Sequence, residues 1–347
     1  MAPIKALLAI LPALSNEFSI KIFVLRQVDA QTRKGLPDNI ELIDLSCFRI
    51  LKSIKIINAK INEVLSEEKS VVTFSMGLFA DIINCKCINN IPKVVSLRGS
   101  LHNTYRIDYG LLGSFLWRLH YRCIKHANKV LVMTRTMASD YVRLTSLKPE
   151  IIGNFIDEAK LQPLQKRKLT KEKVRPVFLF LGRFVRLKQP QELLNTFKEL
   201  RDSGYRFKLI MYGDGPLRET LQGFIKEHEL EDDIEIRGHS REPWLHLNEN
   251  ITALILPSLS EGVSRAAMEA LYLGIPVLAR DVDSNHELVD DGKTGKLFTS
   301  DRNLYEILVK VVDGRLSFSD RGNLLPDEFR QEFCEQKIVS LFKGVLT

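Results

Sequence analysis

The stretch Pro257-Ser258-Leu259-Ser260-Glu261-Gly262-Val263-Ser264-Arg265-Ala266-Ala267-Met268-Glu269-Ala270-Leu271 follows directly on the apolar run Ala253–Leu256. The run reads as a buried strand, and Ser264–Leu273 reads as a helix. Gly262 and Ser264 stand where that helix begins, and the unpaired N–H groups of a helix start form a site for an anion. Glu261 precedes the helix and Glu269 lies inside it, with seven residues between them. In that arrangement one carboxylate can hold hydroxyls close to the anion and the other a diol further along. A capped helix with two solvated glutamates would give the same letters, so this stretch is read together with its neighbours.

Two similar units lie upstream. The strand Val177–Leu181 runs into Gly182-Arg183-Phe184-Val185-Arg186-Leu187-Lys188. Arg183 and Lys188 leave the carboxyl end of a strand on one loop, where two fixed cations can clamp a diphosphate. Gly182 lets a backbone come close. The strand Phe207–Tyr212 ends in Gly213-Asp214-Gly215-Pro216-Leu217. Pro216 suits the first turn of a helix, and the two glycines allow a tight turn, beside a ligand or simply as a turn.

The remaining pattern extends outward from these units. Helices are read at Gln191–Arg201, Leu217–His228 and Leu304–Val312, and further strands at Ile234–Arg237, Pro276–Ala279 and Lys296–Phe298. The first half alternates too. Lys5–Leu14, Ile56–Leu65 and Leu111–Asn128 read as helices, while Ile20–Leu25, Val71–Phe74, Val94–Leu97, Val130–Met133 and Ile151–Phe155 read as strands. Short apolar strands without alternation belong to a parallel sheet covered on both faces. The expected division is residues 1–157, a charged linker Lys160–Pro176, a second domain over 173–326, and a closing helix within 327–347. Two doubly wound domains bind ligands at the carboxyl ends of their strands, in a cleft.

A chain of 347 residues with 45% hydrophobic and 27% charged residues is an ordinary soluble protein of about two domains. That excludes a disordered tail, a collagen-like rod and a disulfide scaffold. Its apolar runs fall short of the roughly 18–20 residues a spanning helix needs. Met1 to Asp157 carries 21 Lys and Arg against 13 Asp and Glu, whereas the rest carries 29 against 30. The basic surplus therefore sits in the first half and points to an anionic partner there, or to a solvated basic surface. Cys47, Cys85, Cys87, Cys123 and Cys334 show no metal-ligand spacing, and reduced thiols in a cytosolic compartment are expected. Lys5 with Ala6–Leu11 mimics a short signal peptide but leads straight into Ile20–Leu25, so a first helix is the reading adopted.

Taken in order, Gly182-Arg183-x4-Lys188, Gly213-Asp214-Gly215-Pro216-Leu217, Glu261-x7-Glu269, Gly274-Ile275-Pro276-Val277 and Asp291-Gly292-Lys293-Thr294-Gly295 resemble the donor domain of glycosyltransferase family 4. The resemblance is dense over Val177–Asp313. In the first half it rests mainly on Gly153-Asn154-Phe155-Ile156-Asp157, similar to an interdomain Asn-Gly-x-Asp. The resemblance implies a GT-B fold, α/β with two facing Rossmann-like domains. It implies a retaining hexosyltransferase that needs no metal or other cofactor. The donor would be a nucleotide-sugar, UDP-linked, and the acceptor a glycan or lipid-linked glycan in bacterial surface-polysaccharide or lipopolysaccharide synthesis. Carried over by position, Arg183 and Lys188 bind the donor diphosphate and Glu261 contacts the transferred sugar. Glu269 binds the ribose, the amides at Val263 and Ser264 support the phosphates, and Gly182, Gly213 and Gly215 line the donor.

Asp281-Val282-Asp283 has the letters of a metal-binding Asp-x-Asp but comes after the strand Pro276–Ala279, where this family has an ordinary loop. Two departures from the family stand out. Arg98, followed by Gly99 and Ser100, occupies the place of an acceptor-side His, with His102 close but off register; a structural or phosphate-binding Arg fits equally. Ala2–Leu14 is already helix where a strand and glycine-rich loop are expected, which suggests that an N-terminal segment is missing. On Leu111–Asn128 the basic residues Arg118, Arg122, Lys125 and Lys129 recur at spacings of 4, 3 and 4. With Leu112, Phe115, Leu116, Trp117 and Tyr121 they could rest on an anionic membrane surface at the inner face of the cell membrane, or the helix packs on the sheet with a wet basic face. No nucleic-acid recognition motif accompanies them. The rival functions are a UDP-sugar 2-epimerase, which shares the fold, and a shortened paralogue that only binds nucleotide.

Overall fold

The computed structural model describes residues 2–25, 33, 36–37, 39–45, 50–67, 70–87, 90–165, 175–247, 250–318 and 322–346. They form two units: Met1–Ile156 with Asp327–Thr347, and Asp157–Pro326.

The first unit runs α1 (Ala2–Ser15), β1 (Ile20–Val24), β2 (Ile40–Asp44), α2 (Ile50–Glu67), β3 (Thr73–Ser75), α3 (Leu78–Lys86), β4 (Lys93–Ser96), α4 (Leu101–Ile124), β5 (Lys129–Val132), α5 (Arg135–Thr145) and β6 (Glu150–Ile151). β1 pairs with β2, and β3, β4, β5 and β6 are neighbours in that order; every pairing is parallel. The sequence reading missed β2, α3 and α5. β2 is Ile-Glu-Leu-Ile-Asp and half-exposed, so its letters are those of a two-sided edge and not of a buried run. α5 carried a legible signal: the Thr134 hydroxyl accepts from the Met137 N–H at 3.2 Å as an N-cap, and Met137 and Tyr141 are buried one turn apart.

α4 starts ten residues earlier than Leu111. It is two helical pieces joined at Gly110, whose φ of 57° and ψ of −130° break the helix. Gly113 allows the second piece to lie against the first, because a Cβ there would stand 1.9 Å from the Tyr105 carbonyl oxygen. Beneath α4, the buried Asp81 of α3 meets the buried His120 at 2.9 Å, and His120 Nδ1 lies 3.1 Å from the Tyr105 hydroxyl. Burial pushes the Asp81 carboxyl upward in pKa, and the hydrogen bond with His120 opposes that rise.

The second unit opens with α6 (Glu158–Gln165), where the sequence reads linker; residues 166–174 of that linker lie outside the described residues. Gln165 ties α6 down by donating to the Tyr272 carbonyl at 2.6 Å. Then come β7 (Val177–Leu181), α7 (Pro190–Asp202), β8 (Lys208–Tyr212), α8 (Arg218–Glu227), β9 (Ile234–Gly238), β10 (Ile251–Leu256), α9 (Arg265–Tyr272), β11 (Val277–Arg280), α10 (Asn285–Leu288), β12 (Gly295–Phe298) and α11 (Asp301–Val312). The six strands are all parallel and lie in the order β12-β11-β10-β7-β8-β9. The chain starts in the middle, winds one way to β9, then returns to β10 and winds the other way. β7 and β10 are therefore neighbours at the point of reversal, where a doubly wound sheet opens a crevice at the carboxyl ends. Phe178, Phe180, Phe197, Phe207 and Phe298 fill the core around this sheet. Each such side chain contributes about 1.5–3 kcal/mol on burial, so the strand ends have a rigid base.

The tail returns to the first unit. α12 (Gln331–Leu346) packs Cys334, Ile338 and Phe342 against Ile10 and Leu14 of α1, and Lys343 pairs with Glu17 at 2.6 Å. Among the described residues no helix is long and apolar enough to cross a membrane.

Candidate functional site

The loop after β7 is anchored by one side chain. Phe184 is fully buried, which leaves its neighbours Arg183 and Arg186 exposed on the loop's outer side. The Lys188 N–H donates to the Val185 carbonyl at 2.9 Å, closing a single turn of 3-10 helix over Arg186–Lys188. Gln189 then takes a left-handed φ of 51° and Pro190 starts α7. This turn aims the Lys188 ammonium at the loop after β10, where it forms an ion pair with Glu261.

The glycines after β8 serve close backbone contact. A Cβ on Gly213 would lie 2.0 Å from the Gly182 carbonyl oxygen, and one on Gly215 would lie 2.6 Å from that of Phe184. The Phe184 N–H donates to the Asp214 carbonyl at 2.9 Å, and the Leu217 N–H donates to the Phe184 carbonyl at 3.1 Å. Gly213 and Gly215 thus fuse two strand-end loops into one surface at positions where no side chain fits, while a Cβ on Gly182 would press on the Phe180 ring at 3.2 Å.

A third loop joins them. The Leu259 N–H donates to the Leu187 carbonyl at 2.9 Å, which joins the loop after β10 to the loop after β7. Ser264 caps α9, its hydroxyl accepting from the Ala267 N–H at 3.4 Å, so Val263 and Ser264 stand at the helix start. Both are buried, as is Glu261. The Asp283 Oδ2 atom accepts from the Ser260 hydroxyl at 2.5 Å and from the Glu261 N–H at 2.8 Å. Asp283 does this from a left-handed φ of 47°, a strained setting for a residue with a Cβ. The Asp-x-Asp letters therefore conceal a brace: one carboxylate holds the Glu261 loop, while Asp281 is half-exposed and 4.0 Å from His286. Among the described residues no group of three or more His, Cys, Asp and Glu is placed to hold a metal ion.

Glu269 is held at both oxygens. Arg265 Nη2 donates to Oε1 at 2.6 Å and Trp244 Nε1 donates to Oε2 at 2.8 Å. Trp244, Arg265, Ser260 and Asp283 are the site residues that sequence reasoning missed. Arg265 could have been found, since it lies four residues before Glu269 on one helix face. Trp244 and Asp283 come from other loops, and no spacing announces them. Among the described residues, buried Arg265 Nε, Ser258 Oγ and Gln191 Oε1 lack a hydrogen-bond partner, as do four buried side-chain atoms of the first unit. Unsatisfied buried groups cost about 1–3 kcal/mol each unless a water, an ion or a bound ligand completes them.

In the first unit, Arg98 leaves the end of β4 and donates from Nη2 to the Asn154 side-chain oxygen. That oxygen also accepts the Phe155 N–H at 2.9 Å, and the guanidinium lies 5.8 Å from the Phe155 ring centre. Arg98 thus sits against Asn154 and Phe155. A Cβ on Gly153 would meet Cys334 Sγ at 3.1 Å and the Glu328 carbonyl oxygen at 3.2 Å, so the chain there passes close to the returning tail. His102 is placed differently, edge-on to Trp117 within α4 at 5.3 Å between ring centres.

Residues 162–313 match the family model of glycosyl transferases group 1. An uncharacterized glycosyltransferase of Methanocaldococcus jannaschii is 26% identical over 204 residues, 56% of this chain and 50% of that protein. The O-antigen biosynthesis glycosyltransferase WclY of Escherichia coli is 22% identical over 348 residues, 98% of this chain and 92% of its own length. The chain therefore spans half of the archaeal relative and nearly all of the bacterial one. Among solved structures, Anabaena HepE in complex with UDP and glucose superposes with a TM-score of 0.73 at 15% identity, covering 99% of this chain and 96% of that one. That likeness gives the chain the fold of the GT-B glycosyltransferases, as the sequence led us to expect.

Proposed function

We propose that the chain moves a sugar from a nucleotide-sugar, UDP-linked, to a glycan or lipid-linked glycan with retention of anomeric configuration and without a metal, a reading supported by the match of residues 162–313 to the group 1 glycosyl transferases. One observation carries the reading. The loops Gly182–Lys188, Gly213–Leu217 and Pro257–Ser264 are hydrogen-bonded to one another at the carboxyl ends of β7, β8 and β10, and join the Lys188–Glu261 ion pair to the start of α9. The HepE complex with UDP and glucose supports UDP as the nucleotide, and the E. coli relative's role in O-antigen synthesis supports the acceptor class.

The chemistry follows from the charges. Transfer breaks the bond between the anomeric carbon and the diphosphate oxygen, and negative charge grows on the departing diphosphate. Arg183, Lys188 and the N–H groups at Val263 and Ser264 are the groups that meet that charge. Glu269, held by Trp244 and Arg265, presents a fixed acceptor to a ribose diol. Glu261 takes sugar hydroxyls and keeps Lys188 in place through their ion pair. In this reading Arg98, Gly99 and His102 belong to the acceptor side, and the chain works against an anionic membrane surface.

Thermal unfolding of the full chain with UDP and with GDP, each with and without EDTA, tests the donor assignment. A ligand present at a hundred times its Kd adds about 2.7 kcal/mol, which reads as a rise in Tm. No rise with either nucleotide would overturn the assignment.

A further inference from the structure

The first unit exposes apolar surface in one place above all others. Six of the sixteen large apolar side chains found exposed among the described residues lie on α4. Leu111 is 94% exposed, the highest value among them, and Phe115 is 62% exposed. The break at Gly110 places Tyr109, Leu111 and Leu112 at the bend between the two helical pieces.

At 100° per residue, Leu111, Phe115 and Leu119 share a face with Arg118, Arg122 and Lys125. All six are exposed, while Gly113, His120 and Ile124 on the opposite side are buried. Among the described residues none of Arg118, Arg122 and Lys125 is paired with a carboxylate; Arg118 reaches only the Ser114 carbonyl and the Trp117 ring. The sequence contains no Asp or Glu from Tyr109 to Ser139. Large apolar side chains standing in water beside a row of uncompensated cations form an interaction surface.

We propose that this face of α4, from Tyr109 to Lys125, docks on an anionic phospholipid bilayer, with Leu111, Leu112 and Phe115 entering the acyl boundary and the basic row lying among the headgroups. This deepens the membrane part of the functional reading and is independent of the donor site. Charge decides between occupants. A second copy meeting this face across a two-fold axis would set Arg118, Arg122 and Lys125 against themselves, whereas anionic headgroups neutralise them. The combination of Leu and Phe with Arg and Lys is that of a helix lying in the interface. The buried Asp81–His120 contact and the close packing at Gly113 hold α4 on the unit, so the face is presented ready-made.

The test is co-sedimentation of the full chain with vesicles of mixed phosphatidylglycerol and phosphatidylcholine, and of phosphatidylcholine alone, at physiological salt. Light scattering reads self-association in parallel. The native chain is expected on the anionic vesicles only. Arg118→Glu with Arg122→Glu should lower partition at least about 25-fold, since each basic residue is worth about fivefold near such a surface. Leu111→Ser with Phe115→Ser should lower it about tenfold or more. Both variants should keep the native Tm and its rise with UDP, which shows that they fold. No partition of the native chain, partition indifferent to both double variants, or a dimer that Leu111→Ser with Phe115→Ser dissolves would each overturn the proposal. A lost UDP shift with intact vesicle binding would instead count against the donor site alone.

Discussion

The carboxylate of Asp283 holds the main-chain N–H of Glu261 at 2.8 Å. Two loops from different strands are locked by that contact, and the same oxygen takes the Ser260 hydroxyl. Asp283 thus positions the acid proposed to meet the transferred sugar. Asp283→Ala orphans two donors and frees the loop. Turnover should fall about tenfold or more, with the donor KM changing little, because a loosened loop loses the geometry of transfer before it loses the nucleotide. Asp283→Asn, which keeps one acceptor oxygen, should fall in between. Steady-state kinetics of both variants check this, and native turnover in Asp283→Ala would remove the brace from the account.

Lys188 and Glu269 should separate in kinetics. Charge grows on the diphosphate only as the sugar leaves, so a cation there stabilises the transition state more than the ground state. Lys188→Ala is expected to lower kcat about 100-fold or more, and EDTA should leave the native enzyme unaffected. A Lys188→Ala enzyme changed only in donor KM, or native turnover abolished by EDTA, would speak against a cation clamp.

Trp244→Phe keeps an aromatic ring, smaller than the indole, and removes the N–H that holds Glu269. A hydrogen bond to a charged group is worth about 1.5–3 kcal/mol, and only part of that reaches the ligand. The donor KM should rise about threefold to tenfold with kcat near native. Glu269→Ala should raise it further in the same direction, because a ribose contact is alike before and during transfer. Equal KM values for native and Trp244→Phe would show that Arg265 alone suffices to hold Glu269.

His120→Ala tests the first unit. Asp81 and His120 are both fully buried. Removing one partner strands the other, at a cost of about 3–5 kcal/mol. Urea unfolding should show the loss as a lower midpoint; an unchanged midpoint would mean that Asp81 is neutral and satisfied without His120.

Most of the second unit was legible because its central strands are short buried runs, and β7, β8 and β10 each run directly into a glycine or proline. Val177–Leu181 was read to the residue. The first unit was harder. β2 sets Glu41 and Asp44 among three apolar residues without a clean alternation, and α4 bends at a glycine that local pattern reads as a boundary. At the site, Arg183, Lys188, Glu261 and Glu269 could be named from the sequence because each lies in a continuous stretch that follows a strand and matches a family motif. Trp244 reaches Glu269 across 25 residues and Asp283 reaches Glu261 across 22, and such contacts are fixed by the sheet order alone. The acidic pair at 281 and 283 shows the hazard: of two letters that match a metal motif, Asp283 ties a loop.

The most direct measurement is of the products formed from a panel of nucleotide-sugars with a membrane extract, by mass spectrometry and by NMR at the anomeric proton. The account predicts nucleoside diphosphate released in step with a new glycoside of the donor's own anomeric configuration, and both lost together in Lys188→Ala. A free, epimerised sugar formed without any acceptor, or a glycoside of inverted configuration, would contradict it.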